Sequence, residues 1–394
     1  MSAVEQQGKD LELLAESEGD LIALLNRLEA QNANRIDVET RVNRYLDMRA
    51  RDKGVPIRGT FELTPLCNLD CKMCYAHLSE RQVKETGREI LPGKEWIKIM
   101  QQAVDAGMIQ AVLTGGEALS HPDFDEIYLF LLSQGVTVGI NTNGLLLTEN
   151  RIEFFKQHKP NAIQVSVYGH DEETYEAVTG HRVFSHVLDA IQRLKENRIY
   201  TTLGITPSRY LGDSVEALLR FVSSFGLRFT INAGLFTPRC ETGRHTGAHD
   251  FTLDEYIELS KLQAKLAGVQ LKPACEDEIP SVGTVKTNES KGLRCGGGRS
   301  SFAVSWDGKL QPCVMLSEIQ VDLTNAEFKE AWRMVHTAVC DYPSPVECEE
   351  CPFHGVCPVC VVQHAQGAPL GHANPMFCKR AKRLALEGII RPGE

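Results

Sequence analysis

The sequence predicts an α/β fold on a parallel sheet, followed by a small cysteine-rich segment. Two observations carry this. Six short β-rich runs alternate with helical stretches between residues 57 and 232, the pattern of successive βα units. The 13 cysteines are unevenly spread: Cys67, Cys71 and Cys74 lie within eight residues, none occurs from 75 to 239, and eight fall in the last 100 residues.

Residues 1–34 read as an acidic helix. Leu11, Leu14, Leu21, Leu24, Leu25 and Leu28 form one apolar stripe, and seven acids against Lys9 and Arg27 leave a net charge of −5. Residues 35–58 turn basic, with seven cations against four acids. A helical extension over 1–56 is expected, packed on the next domain or open to a partner. Strands are expected at Ile57–Leu63, Ile109–Leu113, Val136–Ile140, Ala162–Val167, Thr201–Ile205 and Arg228–Asn232. Helices fall between them at Gly93–Ala106, Phe124–Ser133, Asn150–Gln157, Val183–Asn197 and Asp213–Phe225. Right-handed crossovers curl such a sheet one way, but periodicity does not separate an open doubly wound sheet from a partial barrel. After a helix at Thr252–Leu266, the remainder is rich in Gly, Pro and Cys with few long apolar periods. Metal ligation is expected to supply the stability such a segment lacks. The domain reading is therefore 1–56 extension, 57–250 βα domain and 251–394 linker helix with a Cys-rich domain.

Composition narrows the function. Of 394 residues, 42 are Lys or Arg and 52 are Asp or Glu, a formal charge of −10, which argues against nucleic-acid binding. No apolar run approaches the ~20 residues that span a bilayer, and residues 1–10 lack a signal-peptide core. A cytoplasmic protein without membrane contact is expected, where clustered thiols serve as metal ligands or catalysts rather than disulfides.

Cys67-Asn-Leu-Asp-Cys71-Lys-Met-Cys74-Tyr75 follows the first strand directly. Three thiolates on one loop suit three irons of a [4Fe–4S] cube, leaving the fourth iron for a small molecule. As a zinc site the loop is one ligand short. Thr114-Gly115-Gly116-Glu117 ends the second strand, Asn141-Thr142-Asn143-Gly144 the third, and Ser166 lies on the fourth. Taken singly, each is also ordinary turn chemistry. At the C-terminus Cys295 precedes Gly308 and Cys313 in a C-x12-G-x4-C run. Cys348-x2-Cys351-x5-Cys357-x2-Cys360 follows, then Cys378. Five residues between the two C-x2-C pairs is short for a zinc ribbon, and seven cysteines exceed one tetrahedral site.

The C-x3-C-x2-C spacing followed by an aromatic resembles the radical S-adenosylmethionine (SAM) superfamily, and the later motifs come in that family's order. The resemblance covers roughly residues 57–245 and implies a partial (β/α)6 TIM-like barrel. It implies that Cys67, Cys71 and Cys74 hold a [4Fe–4S] cluster with an open site for SAM. Gly115, Gly116 and Glu117 would receive the methionine amino group, Asn143 and Ser166 the ribose, and Tyr75 would approach the adenine. Leu203-Gly204-Ile205-Thr206 departs from the family's fifth-strand pattern, so no contact is assigned there.

The C-terminal pattern resembles the SPASM extension, with C-x2-C at Cys357–Cys360 where the usual pair is C-x3-C. It implies two auxiliary Fe–S clusters, one on Cys348, Cys351, Cys357 and Cys378 and one on Cys295, Cys313 and Cys360. The second has no evident fourth ligand: its open iron would bind substrate, or Cys340 or Cys275 completes it. Cys240 reads as a packed thiol or a radical relay, and His245 and His249 as surface groups.

The resemblance implies reductive cleavage of SAM to a 5′-deoxyadenosyl radical that abstracts hydrogen from substrate. SPASM-bearing relatives mostly act on peptides. Val314 stands after Cys313, where sulfatase-maturing relatives place an Asp, which counts against that activity. The leading expectation is a maturase of a ribosomally made peptide (crosslink, thioether or splicing). Its expected partners are the precursor peptide, an electron donor such as a flavodoxin or ferredoxin, and a separate leader-binding protein or residues 1–56 in its place. The alternatives are radical oxidation or rearrangement of a small molecule or cofactor precursor, and a non-enzymatic Fe–S electron carrier. The latter gives no reason for the Gly-Gly-Glu run and the polar residues at successive strand ends.

Overall fold

The computed structural model describes residues 35–232, 252–266, 269–273, 293, 295–349, 351–353, 356–357, 359–365 and 368–390. The helix expected at 1–34, Cys240, Cys275, His245 and His249 lie outside the described residues.

Helix α1 (Arg35–Lys53) leads into β1 (Arg58–Glu62). The units that follow are α2 (Glu80–Glu85), α3 (Gly93–Asp105) and β2 (Gln110–Thr114); α4 (Phe124–Ser133) and β3 (Thr137–Thr142); α5 (Glu149–Gln157) and β4 (Ala162–Val167); α6 (Glu172–Thr179), α7 (Phe184–Glu196) and β5 (Thr201–Ile205); α8 (Val215–Ser224) and β6 (Arg228–Ile231). Strands β1 to β6 pair in sequence order, every pair parallel. With helices between successive strands, this is a partial (β/α)6 barrel. The helices dock by narrow apolar stripes: Trp96, Ile99, Met100 and Ala103 on α3, and Val187, Ala190, Ile191 and Leu194 on α7. Both recur at the three- and four-residue spacing of one helix face. The helix expected from Asp213 begins instead at Val215. A 3-10 turn at Arg209–Ser214 precedes it, broken at Gly212 by φ +51°.

After α9 (Leu253–Leu266), three strands extend the same sheet. Strand β7 (Ser301–Val304) pairs in parallel with the outer edge of β1, Phe61 opposite Val304, and β8 (Lys309–Gln311) and β9 (Val321–Asp322) follow antiparallel. Helix α10 (Phe328–Cys340) closes over them, burying Phe328, Ala331, Trp332, Val335 and Val339. The C-terminal segment thus carries a well-formed apolar stripe, more core than its composition suggests.

The Phe302 ring meets Phe61 at 5.8 Å, Phe328 at 5.0 Å and Trp332 at 6.1 Å, and Phe61 in turn meets Trp96 edge-on at 6.0 Å. One core therefore runs from α3 through β1 into the cysteine-rich end. The β7–β8 turn is pinned to the segment before α3 by Arg88, which pairs with buried Asp307 at 3.1 Å and lies over the Trp306 ring. Two further helices follow, α11 (Val361–Ala365) and α12 (Pro375–Leu386). No described helix is long and apolar enough to cross a membrane.

Candidate active site

The cysteine loop leaves the carboxyl end of β1, the end at which parallel βα folds gather reacting groups. Its base is clipped shut: Leu78 N–H donates to Pro65 O at 3.0 Å. The strand end of β2 lies against the same base. Gly116 N–H donates to Thr64 O at 2.7 Å and Glu117 N–H to Leu66 O at 2.9 Å. This contact explains the two glycines. A Cβ on Gly115 would stand 2.3 Å from Thr64 O, and one on Gly116 2.2 Å from Leu66 O; Gly115 also holds φ +138°. The close approach they permit is to the chain entering the cysteine loop.

Glu117 is 1% exposed and turned inward. Its Oε1 accepts from Leu119 N–H at 3.0 Å and from the Thr142 hydroxyl at 2.9 Å, and its Oε2 accepts from Asn143 N–H at 2.8 Å. Burial still outweighs these bonds and raises its pKa above the ordinary carboxyl value. The carboxylate for which the family resemblance implies a ligand ammonium accepts from three donors of the chain, which tie the ends of β2 and β3 together. Asn143 is similarly engaged. Its Nδ2 donates to Asn68 Oδ1 at 2.6 Å and to Cys67 Sγ at 3.5 Å, while its Oδ1 accepts from Leu145 N–H at 3.0 Å.

Cys67 Sγ also receives Leu69 N–H at 3.4 Å, and Cys74 Sγ receives His77 N–H at 3.3 Å. Cys74 N–H donates to Cys71 O at 3.0 Å, so the second and third cysteines share one turn. Burial pushes the Cys67 thiol up to about 11, with the nearby charges of Glu117 and Cys74 adding to the rise. A metal ion that takes the proton's place offsets this penalty. Backbone and amide N–H groups aimed at sulfur, in a buried loop, fit cluster thiolates. Among the described residues no three Cys, His, Asp or Glu converge as ligands of one ion do; a cube, in which each thiolate takes a separate iron, does not need that. Ser166 is half-buried on β4, its hydroxyl bonded to the Tyr168 phenol and its carbonyl accepting from Tyr175 OH at 3.3 Å. Tyr75 is half-buried beside Cys74.

The C-terminal thiols fall into two neighbourhoods. Cys313 is raised to about 11 by burial and by the charges of Cys295 and Cys360. Cys378, at the start of α12, is raised by burial and by Cys351 and Cys357. Cys351 N–H donates to Cys348 O at 3.3 Å, placing Cys348 one turn away. Glu347 joins this turn to the entry of α12: its carboxylate accepts from Ala373 N–H at 2.8 Å and meets His372 Nδ1 at 3.0 Å. Those partners hold its pKa at about 2. The Cys340 thiol lies 3.6 Å from His336 Nε2, one helical turn back. Asn68, Thr142 and Glu347 are the participants that sequence reasoning missed. The first two adjoin Cys67 and Asn143 in the quoted motifs; nothing in the sequence marks Glu347 except its place beside Cys348.

Residues 61–222 match the Radical SAM superfamily. The chain is 27% identical over 218 residues to the sporulation killing factor maturation protein SkfB of Bacillus subtilis (strain 168), a match covering 54% of this chain and about half (51%) of SkfB. It is 21% identical over 392 residues to the antilisterial bacteriocin subtilosin biosynthesis protein AlbA of the same strain, covering 93% of this chain and 81% of AlbA. Its fold is similar to that of Streptococcus suis SuiB, with TM-score 0.63 at 16% identity, over 90% of this chain and 86% of that one. It is also similar to anSMEcpe with bound AdoMet, with TM-score 0.61 at 15% identity, over 83% and 95%. The match over 61–222 lies on the barrel whose mouth carries the three-thiol loop and its clamp, so this part of the chain is similar to the Radical SAM superfamily.

Proposed function

We propose that the chain modifies a ribosomally made precursor peptide by hydrogen abstraction, installing a crosslink or thioether or splicing the backbone. The observation that carries the radical chemistry is the Cys67–Cys71–Cys74 loop, clamped by Gly116 and Glu117 at the carboxyl ends of β1 to β3. The peptide substrate is supported by the relatives: SkfB and AlbA are named for peptide maturation and bacteriocin biosynthesis, and one SuiB structure is described as bound to its precursor peptide SuiA.

Cys67, Cys71 and Cys74 would hold the [4Fe–4S] cluster. When bound, the cluster and SAM supply the electron and the 5′-deoxyadenosyl radical that abstracts a substrate hydrogen. The chain's part is to hold that chemistry in place and keep it dry. Leu69, His77 and Asn143 donate to the thiolate sulfurs. Leu69, Cys71 and Met73 of the loop are buried in one apolar core with Phe61 and Leu63. Gly115, Gly116, Ser166 and Tyr75 remain at the barrel mouth as the proposed SAM-facing residues.

For the C-terminus we propose a SPASM-type domain with two auxiliary clusters, one on Cys348, Cys351, Cys357 and Cys378 and one on Cys295, Cys313 and Cys360. The mutual electrostatic influence within each group supports the grouping. A small redox protein such as a flavodoxin or ferredoxin would supply the electron, and a separate leader-binding protein or residues 1–56 would present the peptide. The reading is tested by incubating iron-loaded full-length protein with SAM and dithionite, then co-expressing it with a precursor peptide encoded beside it. The expected results are 5′-deoxyadenosine and a mass change confined to the peptide. Absence of 5′-deoxyadenosine from fully loaded protein refutes the radical reading; an unmodified peptide alongside 5′-deoxyadenosine refutes the substrate class.

A further inference from the structure

The Asn143 side chain bridges a turn and the cluster loop, and its orientation is fixed by chemistry. Leu145 N–H can only donate, so the amide atom facing it at 3.0 Å is Oδ1. Nδ2 then faces the other way, 2.6 Å from Asn68 Oδ1 and 3.5 Å from Cys67 Sγ. The residue's own N–H is held at 2.8 Å by Glu117, a carboxylate with almost no exposure. Glu117 in turn grips Thr142 and Leu119 and donates its N–H to Leu66, at the entrance to the cysteine loop. The path is closed: β2 end, β3 end, Asn143 amide, Cys67 sulfur, and back through Leu66.

We propose that Asn143 is a positioning residue for the Cys67 thiolate, donating an N–H···S hydrogen bond to it and held in register by Glu117, rather than a ribose ligand. The inference rests on Cys67 being a cluster ligand. Hydrogen bonds to a ligand sulfur stabilise the more negative, reduced cluster and so raise its potential. Asn143 would therefore make the cluster easier to reduce before SAM arrives, a property a ribose contact does not confer.

The test uses full-length, fully reconstituted wild type, Asn143→Asp and Asn143→Ala. Asp keeps an acceptor for Leu145, so the turn persists, but it loses both N–H donors and sets a negative charge beside the thiolate. Three quantities are read: iron and sulfide per chain, SAM Kd, and the midpoint potential of the EPR signal that changes on adding SAM, recorded in SAM-free samples. The expected result for Asn143→Asp is about tenfold less reduced cluster at a fixed potential, a negative shift of about 59 mV for a one-electron couple. If Asp prevents loading of that cluster, Asn143→Ala decides, with a shift of the same sign and no added charge. Wild-type potentials in every variant that loads overturn the proposal, and more specifically so if SAM Kd alone weakens, which returns Asn143 to the ribose. A wild type that loads iron but shows no SAM-responsive signal overturns the functional reading of the loop instead.

Discussion

Replacing Glu117 with Gln separates a clamp from a ligand contact. The side chain keeps its shape and its Oε1, so Leu119 N–H and the Thr142 hydroxyl keep an acceptor. The other oxygen becomes an NH2 group facing Asn143 N–H at 2.8 Å, donor against donor. Orphaning one buried donor costs about 1–3 kcal/mol. The substitution also removes a buried charge whose desolvation raises the Glu117 pKa, and that relief offsets part of the cost. The net expectation for Glu117→Gln is about 1–2 kcal/mol, concentrated locally. Glu117→Ala orphans all three donors, each at about 1–3 kcal/mol, and adds a cavity term, so it should be several times worse. The assay is native-state hydrogen exchange on the full chain. In Glu117→Gln the Asn143 amide should exchange about tenfold faster, since ~1.4 kcal/mol is one decade, while amides of α3 and α7 stay protected. Unchanged protection at Asn143 with weakened SAM binding would refute the clamp and assign Glu117 to the ligand.

Phe302→Ala removes a ring packed on Phe61, Phe328 and Trp332, and should cost about 3–5 kcal/mol. Thermal denaturation should show the loss, with greater protease sensitivity around β7–β9. Glu347, held at about 2 by Ala373 and His372, has a folded pKa below its ordinary 4.5. The stability it contributes is present above pH 4.5 and lost as pH falls towards 2. Acid titration of the metal-free chain should lose that component in Glu347→Gln, and an identical acid profile would refute the brace. Cys340→Ala should leave iron per chain unchanged, because the thiol faces His336. Loss of about four irons would make Cys340 the fourth ligand of the Cys295, Cys313 and Cys360 set.

What was legible in the sequence follows from how locally each feature is encoded. Strands Ala162–Val167 and Thr201–Ile205 and helix Phe124–Ser133 have the expected bounds, because periodicity and flanking turns define them without tertiary help. Strands β7, β8 and β9 span four, three and two residues, too few for alternation to register, and they exist because β1 offers an open edge. Helix α10 carries a regular apolar stripe, but its flanks are rich in Gly, Pro and Cys, and averaging over the segment conceals it. The Cys67–Cys74 loop stands out in sequence because its three thiols lie within eight residues, whereas the division of the C-terminal cysteines into two sets comes from the family resemblance and is a proposal. Glu117 and Asn143 show the opposite limit. Spacing identifies such polar residues but not the direction of their side chains, which is set by donors from other strands. Here those donors and acceptors belong to the cysteine loop and to one another: Glu117 holds Asn143, and Asn143 reaches Cys67 Sγ. A glycine pair needed for close backbone packing and one needed for ligand approach look the same in sequence. The 2.2–2.3 Å clash that a Cβ would make with the Thr64 and Leu66 carbonyls shows that backbone packing alone requires both glycines.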